Sequence, residues 1–90
     1  MPIISMFYGI IIYMYPLVDS KQHSMPHIHV EYSGMSAVFS LLDGEILAGE
    51  LPPKKIRLVQ AWMDIHAEEL EADWRIAVQG GEIFRIEPLR

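Results

Sequence analysis

One eight-residue segment, MPHIHVEY, places two histidines and a glutamate at alternate positions of a predicted strand. Side chains alternate across a strand, so His27, His29 and Glu31 share one face while the apolar residues between them point into a core. Imidazole nitrogens and carboxylate oxygens bind metal ions and exchange protons near neutral pH. This row of side chains is therefore the part of the sequence best equipped for chemistry.

Three roles for the row follow from its residue types. In a metal site, His27, His29 and Glu31 would supply three ligands to a divalent ion, and His23 on the preceding loop a fourth. In an acid–base site, His27 or His29 would act as a general base. In a purely structural role, the imidazoles would form hydrogen bonds to a neighbouring strand. The residue types leave all three roles open.

The elements that must position this row form a predicted antiparallel meander. The first strand, over residues 3–15, is apolar on both faces and is therefore expected in the centre of the sheet. Glycine-containing pairs predict the later reversals. The remaining features, in chain order, are a loop over 16–26, a strand over 27–32, a tight reversal at Ser33-Gly34, a strand over 35–42, a hairpin at Asp43-Gly44 and a strand over 45–48.

The C-terminal half predicts helix. Pro53 suits a first helical turn, and apolar residues then recur at helical spacing. A continuous helix would place Glu69 and Asp73 in the apolar stripe, so we predict a break at 67–69. His66 lies within the stripe and is expected to be a buried, hydrogen-bonded core residue. After the break we predict a second helix built on Leu70, Trp74, Ala77 and Val78, a stop at Gly80-Gly81 and a short last strand over 83–86.

These elements predict an α+β fold in a single domain over residues 1–90. The expected architecture is a four- to five-stranded, mostly antiparallel sheet with a kinked helix or two helices packed on one face. A helix layer on one side leaves the other side of the sheet uncovered, and we expect the histidine row to lie there.

Composition excludes several classes of function. The chain has 90 residues, no cysteine and a formal net charge of −5. Without cysteine there are no disulfides and no thiolate chemistry, which fits a cytoplasmic location. The apolar stretch at 3–18 lacks a basic flank and is shorter than the roughly 20 residues of a spanning helix, so we predict no membrane segment. The acidic balance disfavours non-specific nucleic-acid binding.

Four stretches of sequence carry a recognisable combination of residues. They are PIISMFYGIII at 2–12, PHIHVEY at 26–32, GEILAGELP at 44–52 and the helical residues 62–69. Together they resemble the bacterial DUF4160 family of domains of unknown function over nearly the whole chain. The resemblance implies that His27 and His29 are candidate site residues. The family pattern favours charge near positions 6 and 13, so Met6 and Tyr13 argue against an RNA or anion contact on the first strand.

The resemblance also implies a partner. Members of the family are often encoded beside another small domain, an arrangement typical of toxin–antitoxin pairs. The leading hypothesis is therefore a small cytosolic interaction protein that uses the uncovered sheet face, with an open sheet edge that permits a homodimer. The alternative is a small hydrolase, with RNA as one candidate substrate, in which His27 or His29 is the base or the row binds a divalent metal.

Overall fold

A computed structural model describes residues 3–15 and 25–90 as five strands and two helices. The elements are β1 (Ile3–Phe7), β2 (Ile10–Tyr13), β3 (His27–Tyr32), β4 (Met35–Ser40), β5 (Ile46–Gly49), α1 (Pro53–Ile65) and α2 (Ala67–Val78). The strands pair in chain order, each antiparallel to the next, in one open sheet. The predicted α+β meander is confirmed. Within the described ranges, neither helix is long and apolar enough to cross a membrane.

The predicted central strand over 3–15 is wrong, because the chain reverses in the middle of it. Tyr8 and Gly9 both have positive φ, 52° and 79°, and Phe7 pairs with Ile10 across them. Positive φ at both central positions is the geometry of a type I′ hairpin turn. The residues on both sides of the turn are apolar, so the hydrophobic pattern runs through it without a break. As a result β1 lies at an edge of the sheet.

The reversal at Ser33-Gly34 is confirmed, with φ of 48° and 84°, whereas the one at Asp43-Gly44 has a different form. β4 and β5 are joined by a five-residue loop over 41–45, in which Gly44 alone has positive φ, 77°. The Asp43 carboxylate accepts a hydrogen bond from the Glu45 N–H at 3.0 Å. This side-chain bond stabilises the longer loop, and the two-residue turn is not formed.

The predicted last strand over 83–86 is also wrong. The segment after α2 has no strand geometry, although the Ile86 N–H donates a hydrogen bond to the Ile4 carbonyl at 2.8 Å. Farther along, the Glu87 carbonyl accepts from the Trp62 indole N–H at 2.8 Å. The segment therefore lies against the outer edge of β1 and satisfies the polar atom of the largest buried side chain.

The break between the helices falls at His66, one residue before the predicted range. The His66 ring lies 5.7 Å from that of Trp62, and its Nδ1 is 2.5 Å from Glu69 Oε1. His66 is hydrogen-bonded as predicted, but it is only half-buried. The break also leaves Glu69 exposed to solvent, which removes one of the two conflicts in the apolar stripe.

The second conflict, between the apolar stripe of α2 and an acidic residue within it, remains, because Asp73 is buried with 2 % of its surface exposed. Its Oδ1 accepts a hydrogen bond from the Phe84 N–H at 3.0 Å, while Oδ2 has no partner in the described part of the chain. Burial raises the pKa of this carboxyl group. Val78, predicted to face the core, is exposed. The buried face of α2 therefore includes Asp73 and excludes Val78, unlike the predicted face.

The hydrophobic core lies between one face of the sheet and the inner faces of both helices. Burying a large apolar side chain contributes roughly 1.5–3 kcal/mol, so this layer supplies most of the driving force for folding. Its members with no more than 2 % exposure include Ile4, Ile10, Ile12, Met14, Ile28, Val30, Phe39, Val59, Trp62 and Leu70.

Gly49 is expected to be the glycine least tolerant of substitution. A Cβ there would clash with the Ser36 carbonyl oxygen and lie 2.8 Å from Ala37 Cα, at a φ of +80°. Gly44 has φ +77° and open space around it. Gly44→Ala should therefore cost only the left-handed strain, about 1–2 kcal/mol. Gly49→Ala adds an overpacking cost and should lower the free energy of unfolding by about 3 kcal/mol or more.

Urea unfolding of both variants beside the wild type measures the two costs. Gly44→Ala is the matched control, because it changes the same residue type at the same backbone conformation. Equal costs at the two positions would contradict the close approach of β5 to β4 at Gly49.

Candidate functional site

The strand register decides which side chains accompany the histidine row. Tyr13 and Val38 lie opposite His29 on its two neighbouring strands, and Ser36 lies opposite Glu31. These residues point away from the helices, and none of them belongs to the hydrophobic core. We call this side of the sheet the open face, and its residues are Met6, Ile11, Tyr13, His29, Glu31, Ser36, Val38 and Ala48.

The open face remains accessible along most of its length. Met6 is 51 % exposed, and Glu31, Ser36 and Ala48 are also exposed. Val38 in β4 is half-buried by side chains of the neighbouring strands. Most of the buried helix residues join the core on the other side of the sheet. The expectation of an uncovered sheet face that carries the row is therefore met by His29 and Glu31.

His27 differs from the rest of the row, because it is only 4 % exposed. Its ring lies 5.0 Å from the His29 ring and 5.0 Å from the Trp74 ring, so α2 covers this end of the row. Its Nδ1 is 2.9 Å from the Met25 carbonyl oxygen. A carbonyl only accepts hydrogen bonds, so Nδ1 carries a proton, and in the neutral imidazole Nε2 presents a lone pair. Among the described residues this Nε2 has no partner.

His29 lies in the middle of the row and is partly buried. Its ring stacks on the Tyr15 ring, with centroids 4.3 Å apart and planes 9° from parallel. Burial lowers the pKa of His29, and the neighbouring His27 lowers it further. Both effects oppose a positive charge, so the imidazole is neutral at physiological pH. Its Nε2 is also buried and has no partner within residues 3–15 and 25–90.

Glu31 is hydrogen-bonded to a tyrosine of the neighbouring strand. Its carboxylate accepts a hydrogen bond from the Tyr13 hydroxyl at 3.2 Å. Partial burial and this carboxylate together raise the pKa of Tyr13. In the described part of the chain, no group of three histidine or carboxylate side chains is placed to hold a metal ion. The structure thus pairs His27 with His29 but not with Glu31, and His23 lies outside the described residues.

A shallow hollow of about 230 Å³ lies on the open face beside His29. It is lined by Tyr13, Tyr15, His29, Val30, Glu31, Ser36, Ala37, Val38, Ala48 and Gly49. The lining joins aromatic and aliphatic surface to one carboxylate and one neutral imidazole. Such a hollow can accept an apolar side chain that ends in a hydrogen-bond donor.

Two contacts of the site were not predicted from the sequence. Tyr15 stacks on His29, and Trp74 covers His27. Tyr15 lies two residues beyond Tyr13, which is paired with His29, so the antiparallel register, when continued, places Tyr15 opposite His27 and diagonal to His29, within reach of the His29 ring. A single strand over 3–15 does not predict this register, because the register depends on the reversal at Tyr8-Gly9. The helical spacing predicts that Trp74 lies in the core, and no local pattern predicts that it also contacts His27.

The family model of DUF4160, a domain of unknown function, matches residues 9–75. The chain belongs to the DUF4160 family. The predicted resemblance is therefore confirmed, and the matched region contains β2 to β5, α1 and most of α2. The histidine row and most of the open face lie inside this DUF4160 region, whereas β1 and the C-terminal segment lie outside it. No curated protein and no solved structure shows significant similarity to the chain.

The lowered pKa of His29 predicts a pH-dependent stability. The unfolded chain binds a proton near the ordinary histidine pKa of 6.5, whereas folded His29 resists protonation. The contribution of His29 to the free energy of unfolding is therefore present above this pH and is lost as the pH falls through the pKa of the folded state. His29→Gln has no group to titrate, so between about pH 7.5 and about pH 5 it should lose less stability than the wild type.

Denaturant unfolding at a series of pH values measures this slope. Tyr15→Phe is the control, because it keeps a ring stacked on His29 and should retain the wild-type slope. Identical slopes for His29→Gln and the wild type would show that burial does not oppose protonation of His29.

Proposed function

We propose that this protein is an interaction module that binds a small partner protein through the open face. One observation carries the proposal: a side of the sheet that presents Met6, Ile11, Tyr13 and Val38 outside the core. Removing apolar side chains from water is favourable, and contiguous exposed apolar surface rimmed by polar groups marks interaction sites. A partner that covers this face completes a second apolar layer on the sheet.

The chemistry of the face specifies the partner's surface. Glu31 is its one charged residue, and it lies beside the Tyr13 hydroxyl. A complementary surface is apolar in the centre and carries one lysine or arginine that reaches Glu31. The net charge of −5 also favours a basic partner, because long-range attraction raises the rate of encounter.

The proposed partner is a small protein encoded beside this one, so that the two form a toxin–antitoxin-like pair in the cytoplasm. This part of the proposal rests on the family resemblance, because members of such pairs are made together and bind each other directly. The shallow hollow next to His29 supports it. It is large enough for one side chain of a partner and too open to enclose a small substrate.

A lysine in the centre of the open face should weaken this complex. Val38→Lys places a charge where the partner must exclude water, and we expect at least about tenfold weaker binding, or 1.4 kcal/mol. Met6→Lys, at the other side of the face, should act in the same direction. The measurement is co-purification and calorimetric titration of the chain with the product of the adjacent gene.

Ile65→Lys is the matched control for these variants. Ile65 is 66 % exposed on α1, so the variant has the same change in charge and hydrophobicity away from the open face. Circular dichroism checks that all three variants fold. Equal binding by Val38→Lys and Ile65→Lys, or no complex with the wild type, would rule out the open face as the site for that partner.

A second candidate function, a His-based or metal-dependent hydrolase, is supported by the bare Nε2 of His27. A histidine whose Nδ1–H is held by a backbone carbonyl is the usual arrangement for a metal ligand or a base. The adjacent Nε2 of His29 offers a second nitrogen. With two protein nitrogens, a metal ion would need further ligands from water or substrate, which leaves positions open for catalysis.

Native mass spectrometry of the untagged protein with added Zn²⁺ tests this candidate. A metal centre predicts one Zn²⁺ per chain in the wild type and in His66→Ala, and none in His27→Ala/His29→Ala. The His66→Ala variant controls for loss of an imidazole elsewhere. A metal-free spectrum, or the same adduct in all three proteins, would remove the metal-dependent form of the hydrolase.

A further inference from the structure

The two edges of the sheet differ in how they are covered. At β1, the C-terminal segment contributes the hydrogen bond from Ile86 to Ile4. At β5, no described strand pairs with the outer side. An unpaired edge presents a row of N–H and C=O groups that can accept another strand, and proteins usually protect it with charges, proline or a bulge. β5 has the sequence ILAG with neither charge nor proline, and Leu47 is 48 % exposed. Its one irregularity is a register shift at Leu47 in the pairing with β4, on the inner side of the strand.

We propose that β5 binds, by strand addition, an extended segment of a partner protein that has basic residues on both sides of a β-forming centre. In this mode the main-chain hydrogen bonds supply affinity, and side chains at the ends supply specificity. The open face includes the Ala48 side chain, whereas strand addition uses the outer main-chain groups of β5, so this inference goes beyond the proposed function and can hold or fail without it.

The ends of β5 determine which strand it accepts. Glu45 and Glu50 directly precede and follow the strand, and both are exposed. In a two-fold symmetric pair of β5 strands, Ile46 of one copy lies opposite Gly49 of the other, which places Glu45 beside Glu50 at each end. Like charges directly opposite each other destabilise a strand pair. A second copy is therefore repelled in this register, whereas lysine or arginine at these positions is attracted.

A neighbouring hollow strengthens the preference for a basic segment. It has a volume of about 400 Å³ and lies at the start of β5, between the 41–45 loop and α1. Its lining includes three carboxylates, from Asp43, Glu45 and Asp64, and contains neither lysine nor arginine. Leu42 and Met63 supply apolar surface in the same hollow. A lysine or arginine side chain can lay its aliphatic stem on this surface while its charged end meets the carboxylates.

The edge is also held in place before any partner arrives. The Gly44 carbonyl accepts a hydrogen bond from Gln60 Nε2 at 2.8 Å, which ties the loop to α1. The Gly44 N–H donates to the Ser40 carbonyl at 2.9 Å. At the other end of the strand, the Glu50 N–H donates to the Ser36 carbonyl at 3.0 Å. Because β5 is already ordered, it loses little conformational entropy of its own when a partner binds.

Two synthetic peptides test the proposal. One has a valine–threonine repeat with lysine at each end, Lys-Val-Thr-Val-Thr-Lys, which gives the lysines the same spacing as Glu45 and Glu50, and the other has glutamate in place of both lysines. Nuclear magnetic resonance titration of the full chain reports the backbone amides of residues 46–49. We expect the lysine peptide to shift these amides and to bind at least about tenfold more tightly than the glutamate peptide.

Charge-reversal variants separate the effect of charge at the ends of β5 from the effect of the net charge of the chain. Glu45→Lys/Glu50→Lys should invert the preference, so that the glutamate peptide binds more tightly. Glu68→Lys/Glu82→Lys makes the same change in net charge at exposed positions away from β5 and should retain the wild-type preference. Met6→Lys, which alters the open face, should leave peptide binding within about twofold, so failure of one surface is distinguishable from failure of the other.

Three results would overturn the proposal. The first is the absence of shifts at residues 46–49 with either peptide. The second is a preference that follows net charge equally in both charge-reversal variants. The third is a dimer in sedimentation equilibrium that Leu47→Lys dissociates, which would assign the edge to a second copy of the chain.

Discussion

Burial of a single face of the sheet under α1 and α2 is the constraint from which the rest of the structure follows. Ile28 and Val30 are fully buried, and each contributes roughly 1.5–3 kcal/mol by leaving water. Side chains alternate along a strand, so fixing these two inward forces His29 and Glu31 outward. A shift of one residue in β3 would exchange the two faces and expose the core. Burial of Ile28 and Val30 therefore positions the histidine row.

The same constraint gives the row a gradient of environments. α2 reaches one end of the sheet, where Trp74 covers His27, and does not cover the far end, where Glu31 is exposed. His29 lies between them, stacked on Tyr15 and neutral. Three residues that look equivalent in the sequence therefore become a buried acceptor, a partly buried neutral ring and a solvated carboxylate. Among the described residues, this arrangement does not bring three side chains together to hold a metal ion.

Both surfaces proposed for binding arise from what the two helices leave uncovered. Two helices can cover one side of a five-stranded sheet, and the C-terminal segment adds a contact at the β1 edge. The open face and the β5 edge remain, the first mainly apolar and the second flanked by Glu45 and Glu50. In the two proposals, a partner contacts the first surface through side chains and the second through the main chain.

The sequence by itself determined the features that depend on local periodicity. Alternation placed His29 and Glu31 on one face, the turn signal at Ser33-Gly34 placed β3 beside β4, and the two acidic residues in the apolar stripe predicted the break near His66. The family was recognisable from the same segments. Each of these depends on residues close in the chain, where steric and hydrogen-bonding preferences are decided by neighbours.

Tertiary structure alone decided the rest. The hairpin at Tyr8-Gly9 depends on backbone angles that the apolar pattern on either side does not encode. Asp73 stays in the interior because its hydrogen-bond partner is the Phe84 N–H, on a segment beyond the end of α2. Glu31 bonds Tyr13 instead of joining the histidines, because the pairing of β2 with β3 brings that hydroxyl within reach. All three depend on contacts between separate elements, and these exist only once the sheet and helices have packed.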